Sequence, residues 1–234
     1  TEELIELSKV ASKYGGMYIS HLRSEGTNLL EALEELISIS RNANIPAEIY
    51  HLKASREPNW SKLDEVIKRI EEVRAEGLKI TADIYTYNAS STGLTGVIPT
   101  WVQEGGHKAW INRMKDPQVR PRLLADIREQ LDEQPPEGIL MVGFKTAKMS
   151  RKYLAKTVAE AAKMRGQTPE EAIVDMVIED DNRIQCIYFS MSEDNIRKKI
   201  KLPWVSFCSD AGVYSDISKS FRTHPRAFGS FIRE

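Results

Sequence analysis

The chain has 234 residues, and its 33 Lys plus Arg nearly balance 34 Asp plus Glu, for a formal net charge of −1. That balance gives no electrostatic reason to bind nucleic acid or an anionic membrane, so a small-molecule partner is expected. Two cysteines, Cys186 and Cys208, lie in apolar strand-like runs without regular spacing; they make a disulfide framework improbable and point to a reducing, cytoplasmic compartment, while no apolar run reaches the roughly 20 residues of a membrane span and nothing resembles a signal peptide.

The chain opens on Thr1 rather than methionine, already inside a helical pattern of Leu4, Ile5, Leu7 and Val10, and is read as a piece of a longer protein. A β-rich run, Met17-Tyr18-Ile19-Ser20, ends in His21. Leu29, Leu30, Leu33, Leu36 and Ile37 then repeat at helical spacing, with Asn28 and Glu31 placed as cap and reciprocal partner and Ile45-Pro46 as the stop. A second strand is predicted near 47–52. A second amphipathic helix on Leu63, Val66, Ile67, Ile70 and Val73 is stopped by Gly77, and a third strand spans 79–87. This alternation predicts parallel βα units with right-handed crossovers.

Residues 88–137 break the rhythm with Gly93, Gly96, Pro99, Gly105, Gly106, Pro117, Pro121, Pro135 and Pro136, around a helix at about 117–131. A stretch this long between elements is expected to be a lid-like insertion, in which Trp101 and Trp110 would shield a substrate. Beyond it the pattern predicts a strand at 139–144, a helix ending at Gly166, a capped helix at Thr168-Pro169-Glu170-Glu171, a strand at 184–189, a short helix at 192–200 and a last strand at 205–209. The basic cluster Arg197-Lys198-Lys199-Ile200-Lys201 falls where a helix ends, and is read as a solvated face that suits the helix dipole.

The chemistry-bearing feature is a pair of histidines. His21-Leu22-Arg23 and His51-Leu52-Lys53 stand thirty residues apart, each closing a β-rich run. One βα repeat would separate them and set both at the carboxyl-terminal edge of a sheet, where βα folds carry their sites. A single strand histidine is ordinarily a hydrogen-bonded core residue. Two at equivalent positions on neighbouring strands stand close enough for one Zn²⁺, which takes imidazole nitrogen at about 2.0–2.1 Å. Asp210 follows the last strand at the same edge, with Gly212 allowing a sharp turn. Alone it would cap that turn; beside two metal-binding histidines it reads as the carboxylate that takes a proton from water and passes it to a leaving group. The cysteines are read as buried and inert, and His107 as a surface residue. His224-Pro225-Arg226 forms a rigid basic turn suited to a substrate carboxylate or to packing against Phe228.

The whole chain resembles the N-acyl-D-amino-acid deacylases (D-aminoacylases) of the amidohydrolase superfamily. The resemblance runs through Tyr18-Ile19-Ser20-His21-Leu22-Arg23-Ser24-Glu25, His51-Leu52-Lys53, Ala82-Asp83-Ile84-Tyr85-Thr86-Tyr87-Asn88-Ala89-Ser90-Ser91-Thr92-Gly93-Leu94, Ser209-Asp210-Ala211-Gly212 and the segment from His224 to Phe231. It implies an α/β fold, a truncated (β/α)₈ TIM barrel over 1–234 with the insertion at about 88–137. It further implies Zn²⁺ held by His21 and His51 on the fifth and sixth strands, Asp210 as general base and then acid, and Lys53, Tyr85 and Ser91 as groups that hold the substrate carboxylate or polarise its carbonyl. Arg226 joins this substrate-binding set. The implied reaction is hydrolysis of the N-acyl amide of an N-acyl-D-amino acid. Family members also carry an HxH pair on the first strand and an upstream metal-binding cysteine, neither of which occurs in this sequence, so the chain by itself is expected to be inactive. Tyr85-Thr86-Tyr87 replaces the family's Tyr-Pro-Tyr. Two other readings stay open: an amidohydrolase acting on cyclic amides such as hydantoins, which would keep the histidines and Asp210 without needing Lys53 and Ser91, and a non-catalytic βα scaffold, which would bind no metal tightly.

Overall fold

The structure is a computed structural model that describes residues 1–181 and 184–210. Its elements, in chain order, are α1 (Glu2–Lys13), β1 (Tyr18–Ser20), α2 (Leu29–Ala43), β2 (Ala47–Ile49), α3 (Lys62–Ala75), β3 (Ile80–Ile84), β4 (Ser90–Gly93), α4 (Thr100–Gln103), α5 (His107–Lys115), α6 (Arg120–Glu133), β5 (Ile139–Gly143), α7 (Ala147–Tyr153), α8 (Val158–Arg165), α9 (Pro169–Asp180), β6 (Gln185–Tyr188), α10 (Glu193–Ile200) and β7 (Val205–Phe207). The described residues divide into two compact units, residues 1–88 with 191–210, and residues within 89–190.

The first unit is the expected βα architecture. Its sheet has the order β1-β2-β3-β7, and every pair is parallel. Alternation along the strands decides its two faces. Ala47, Ile49, Ile80, Ala82 and Ile84 are buried in one apolar cluster with Leu29, Leu33, Leu36 and Ile37 of α2 and Leu63, Val66, Ile70 and Val73 of α3. Residues of opposite parity are polar: the Thr81 hydroxyl donates to Glu48 Oε2 at 2.8 Å, and Asp83 is buried. A parallel sheet with helices on one face and polar groups on the other is a segment of a (β/α)₈ barrel.

Two boundaries differ from the sequence reading. Asn28 occupies the cap position of α2, but with φ −101° and ψ 36° its side chain makes no capping bond; the first turn is instead closed by main chain, Ala32 N donating to Asn28 O. The helix ends on Asn44 in the left-handed conformation (φ 48°), one residue before Ile45-Pro46. Asparagine tolerates that region and so serves as the stop.

The second unit has its own core and an antiparallel sheet of order β4-β6-β5. The predicted strands at 139–144 and 184–189 therefore form here, and not as parallel barrel strands. The segment 88–137 supplies β4 and α4 to α6 to this unit, which continues to Ser190. Trp110 is buried in its core, and Trp101 donates its indole N–H to Asp126 Oδ2 at 2.8 Å beneath the Arg122 guanidinium; both rings are engaged in the unit's own packing. Thr168 forms the predicted capping box with Glu171, and Asp180, fully buried, accepts from the Lys145 and Thr146 amides and the Thr146 hydroxyl at the start of α7. Thr168→Ala is expected to destabilise this unit by about 1 kcal/mol, read as a lower urea midpoint in Trp101 and Trp110 fluorescence.

Candidate active site

The carboxyl ends of β1, β2, β3 and β7 gather most of the sequence-predicted residues. The register pairs Tyr18 with Ala47 and Ser20 with Ile49, which sets His21 level with Tyr50 and leaves His51 one residue further on. Because side chains alternate along a strand, a slip of one residue would turn His51 to the opposite face. The chain absorbs the extra residue at His51 itself, whose backbone is left-handed (φ 39°) and whose amide donates to Asp83 Oδ1 at 2.5 Å. The two imidazole rings end 6.0 Å apart, centroid to centroid, inclined by 42°. A conformation this unusual for a histidine needs support, and the Asp83 carboxylate on the neighbouring strand provides it.

Around His51 the side chains interlock. Lys53, 4% exposed, donates from Nζ to Glu25 Oε1 at 2.6 Å, and the same Nζ lies 2.6 Å from His51 Nδ1. Glu25 Oε1 is 3.1 Å from His51 Nδ1. The Glu25 segment is fixed from below, as Ser55 N donates to Glu25 O at 2.7 Å. Burial alone would raise the Glu25 carboxyl, but the His51 hydrogen bond and the Lys53 charge outweigh it and hold it down at about 2. Tyr85, 3% exposed, presents its ring edge to His51 at 6.3 Å and lies 5.7 Å from Lys53 Nζ. Burial, then the charges of Glu25 and Asp210, keep its phenol protonated well above its ordinary range, so Tyr85 is a neutral hydrogen-bond donor at this edge.

Asp210 stands three residues beyond β7, exposed, with a left-handed backbone (φ 49°). Its charge reaches both Tyr85 and Cys208. Cys208 is half-buried and not a core residue, and it hydrogen-bonds the Asp83 carboxylate; burial with that carboxylate pushes its thiol up to about 12, which keeps it protonated and unreactive, as expected from the sequence. Cys186 matches the expectation, buried with its thiol pushed up by burial. Ser91 lies in β4 of the second unit, opposite Ile187. Arg226, like His224, falls outside the described residues. His107 is exposed and pairs with Asp181 at 2.9 Å.

Three members of the cluster were not assigned a role from the sequence. Glu25 and Asp83 stood inside motifs, and Asp83 carried a signal, since a carboxylate in an apolar strand must find partners. Lys199 corrects the reading of the basic cluster as a solvated face: only 3% exposed, it donates from Nζ to Leu52 O at 2.5 Å, between His51 and Lys53. Its neighbour Lys198 does remain at the surface, bonded to Asp64 at 2.7 Å.

The spacing of the imidazole pair is compatible with one metal ion between the rings. With nitrogens about 2.1 Å from a zinc ion, two ligating rings have centroids at most roughly 6.4 Å apart, and 6.0 Å lies within that span. Among the described residues no group of three His, Cys, Asp or Glu side chains is placed to hold an ion.

Comparison with known proteins finds distant relatives in sequence and fold. The chain is 27% identical over 231 residues to the N-acyl-D-glutamate deacylase of Alcaligenes xylosoxydans xylosoxydans, an alignment covering 99% of this chain and 38% of that protein. It is 38% identical over 94 residues to the D-aminoacylase of the same organism, covering 40% of this chain and 19% of the relative. The chain is a distant homologue of D-aminoacylase-like deacylases. Among solved structures it superposes on a D-aminoacylase, described as defining a novel subset of amidohydrolases, with a TM-score of 0.72 and 24% identity over 99% of this chain and 40% of that one. It also superposes on the N-acyl-D-glutamate deacylase of Bordetella bronchiseptica, solved with zinc and a phosphonate inhibitor, with a TM-score of 0.66 and 22% identity over 89% and 35% of the two chains. The α/β fold is that of a partial (β/α)₈ amidohydrolase barrel. The chain spans 38% or less of the length of these two relatives, and no family profile matches it. Among the described residues no helix is long and apolar enough to cross a membrane.

Proposed function

We propose that this chain carries one side of the active site of a zinc-dependent deacylase that hydrolyses the N-acyl amide of N-acyl-D-amino acids. The observation that supports the reading best is the pairing of His21 and His51 at 6.0 Å across adjacent strand ends, in a chain related along its length to an N-acyl-D-glutamate deacylase. His21 and His51 would hold the zinc ion, which would supply Lewis acidity to an amide carbonyl and to water when bound. Asp210, exposed at the end of β7, takes the proton of the attacking water and returns it to the departing amine nitrogen, which converts a poor leaving group into a neutral one. Tyr85 donates its phenolic proton toward the carbonyl oxygen. Lys53 meets the substrate carboxylate, and that charged group distinguishes this substrate from a cyclic amide. The substrate is a small molecule, and neither nucleic acid nor a membrane is needed.

The test is zinc binding measured by chelator competition, together with turnover of N-acetyl-D-amino acids beside hydantoins. His21→Ala and His51→Ala should each weaken zinc binding by at least tenfold and, in a chain that also supplies the family's remaining metal ligands, abolish turnover of the linear substrate. Zinc affinity unchanged in both variants would overturn the assignment, and preferred turnover of hydantoins would replace the substrate class.

A further inference from the structure

Glu25 belongs to no predicted role, yet it lies closer to His51 than any other carboxylate whose contact with that ring is resolved. Three atoms form a triangle: Glu25 Oε1, Lys53 Nζ and His51 Nδ1, with Nζ 2.6 Å from each of the other two and Oε1 3.1 Å from Nδ1. Nδ1 is thus turned into the protein, and Nε2 is the nitrogen left for a ligand. What Nε2 can do depends on where the single proton of the neutral ring sits. If Nδ1 were bare, Lys53 would have to donate to it, Nε2 would carry the proton, and no lone pair would face a metal. Nδ1 would then also direct its lone pair at a carboxylate oxygen 3.1 Å away, and a carboxylate offers only lone pairs in return. The two contacts at Lys53 cannot both be straight, because the distances place Oε1 and Nδ1 roughly 70° apart as seen from Nζ, far below the spread of ammonium N–H bonds, and straight bonds are the strong ones. The ammonium favours the charged acceptor, and with Nδ1 protonated its 2.6 Å approach to that nitrogen is a contact between two donors that lengthens as Lys53 turns to Glu25.

We propose that Glu25 is a positioning residue that accepts the Nδ1 proton of His51 and so fixes the tautomer in which Nε2 presents its lone pair for metal binding. Lys53 neutralises the Glu25 carboxylate and orients it. This inference rests on the metal role proposed for His51, and it is the arrangement in which a carboxylate behind a metal-binding histidine sets ring orientation and basicity.

The experiment is NMR of the metal-free chain labelled with ¹⁵N-histidine, in which ring nitrogen shifts distinguish the two tautomers, followed by zinc titration against a chelator. The native chain should show His51 protonated at Nδ1. Glu25→Gln should shift His51 toward the Nε2-protonated form, leave the His21 signals in place, and weaken zinc binding by about 10- to 100-fold. Lys53→Met removes the competing donor and should keep the Nδ1-protonated form, so it decides the matter even where Glu25→Gln does not fold. Nε2 protonation in the native chain, or loss of the Nδ1-protonated form in Lys53→Met, would overturn the proposal. Absence of zinc binding by the native chain would instead overturn the metal reading, independently of the tautomer.

Discussion

In a chain that also supplies the family's remaining metal ligands, Asp210→Asn should lower kcat for N-acyl-D-amino acid hydrolysis by about 10²- to 10⁴-fold, the usual cost of removing a general acid-base group. Asparagine matches aspartate in size and can still occupy the left-handed backbone at φ 49°, so the substitution tests the proton and not the fold. An amide cannot take a proton from water at neutral pH, nor return one to the amine. The remaining charges at the strand ends, Glu25 and Asp83, are committed to Lys53 and to the His51 amide, and neither is free to substitute. Zinc should stay bound in the variant, since His21 and His51 supply its nitrogen ligands in this reading. Steady-state kinetics on the zinc-loaded protein check the rate, and metal analysis of the same sample checks occupancy. A variant with near-normal kcat would reduce Asp210 to a turn residue.

The barrel segment was legible because its signals are local. Apolar residues at helical spacing in α2 and α3, with the strands between them, gave the βα order, and the repeated His-Leu-basic pattern located the sheet edge. The repeat misled in one respect. It aligned the strands by thirty residues, whereas the register aligns them one residue differently, and only the left-handed turn at His51 restores the pairing of the rings. A backbone conformation held by an aspartate on the next strand leaves no local trace. The second sheet was less readable for a related reason: β4 is Ser90-Ser91-Thr92-Gly93, poor in β-branched apolar residues, and it pairs with β6 more than ninety residues later. Such strands are defined by their partner rather than by their own pattern. Lys199 was misread because a lysine in a basic run at a helix end looks solvated, and nothing nearby in the sequence announces a carbonyl waiting at Leu52.

That buried lysine should make the first unit's stability depend on pH in a way a surface lysine cannot. Burial, and next the charge of Lys53, lower the Lys199 ammonium from its ordinary 10.5 to about 7. Between these values the unfolded chain carries the proton and the folded chain does not, so stability must rise with pH across the interval and fall as pH drops toward 7. One proton gives a slope of about 1.4 kcal/mol per pH unit, tenfold in the folding constant. Lys199→Met removes the titrating group while keeping the length and most of the apolar volume of the side chain. It leaves Leu52 O without this donor, which shifts the whole curve by a constant and does not alter its slope. Cys208 counsels an upper limit of pH 9 for the comparison, because its thiol is raised from 9 to about 12 and contributes an opposite slope above its unfolded value. The measurement is urea denaturation at pH 7, 8 and 9, followed through Trp60 and Trp204 in a Trp101→Phe, Trp110→Phe background so that the signal comes from the first unit. The native lysine should give unfolding free energies that climb relative to Lys199→Met by about 1 kcal/mol at each step, the first step being the smaller because the folded lysine is half titrated at pH 7; parallel curves would mean that Lys199 stays charged in the folded protein, with its ammonium balanced by Glu25 and the Leu52 carbonyl.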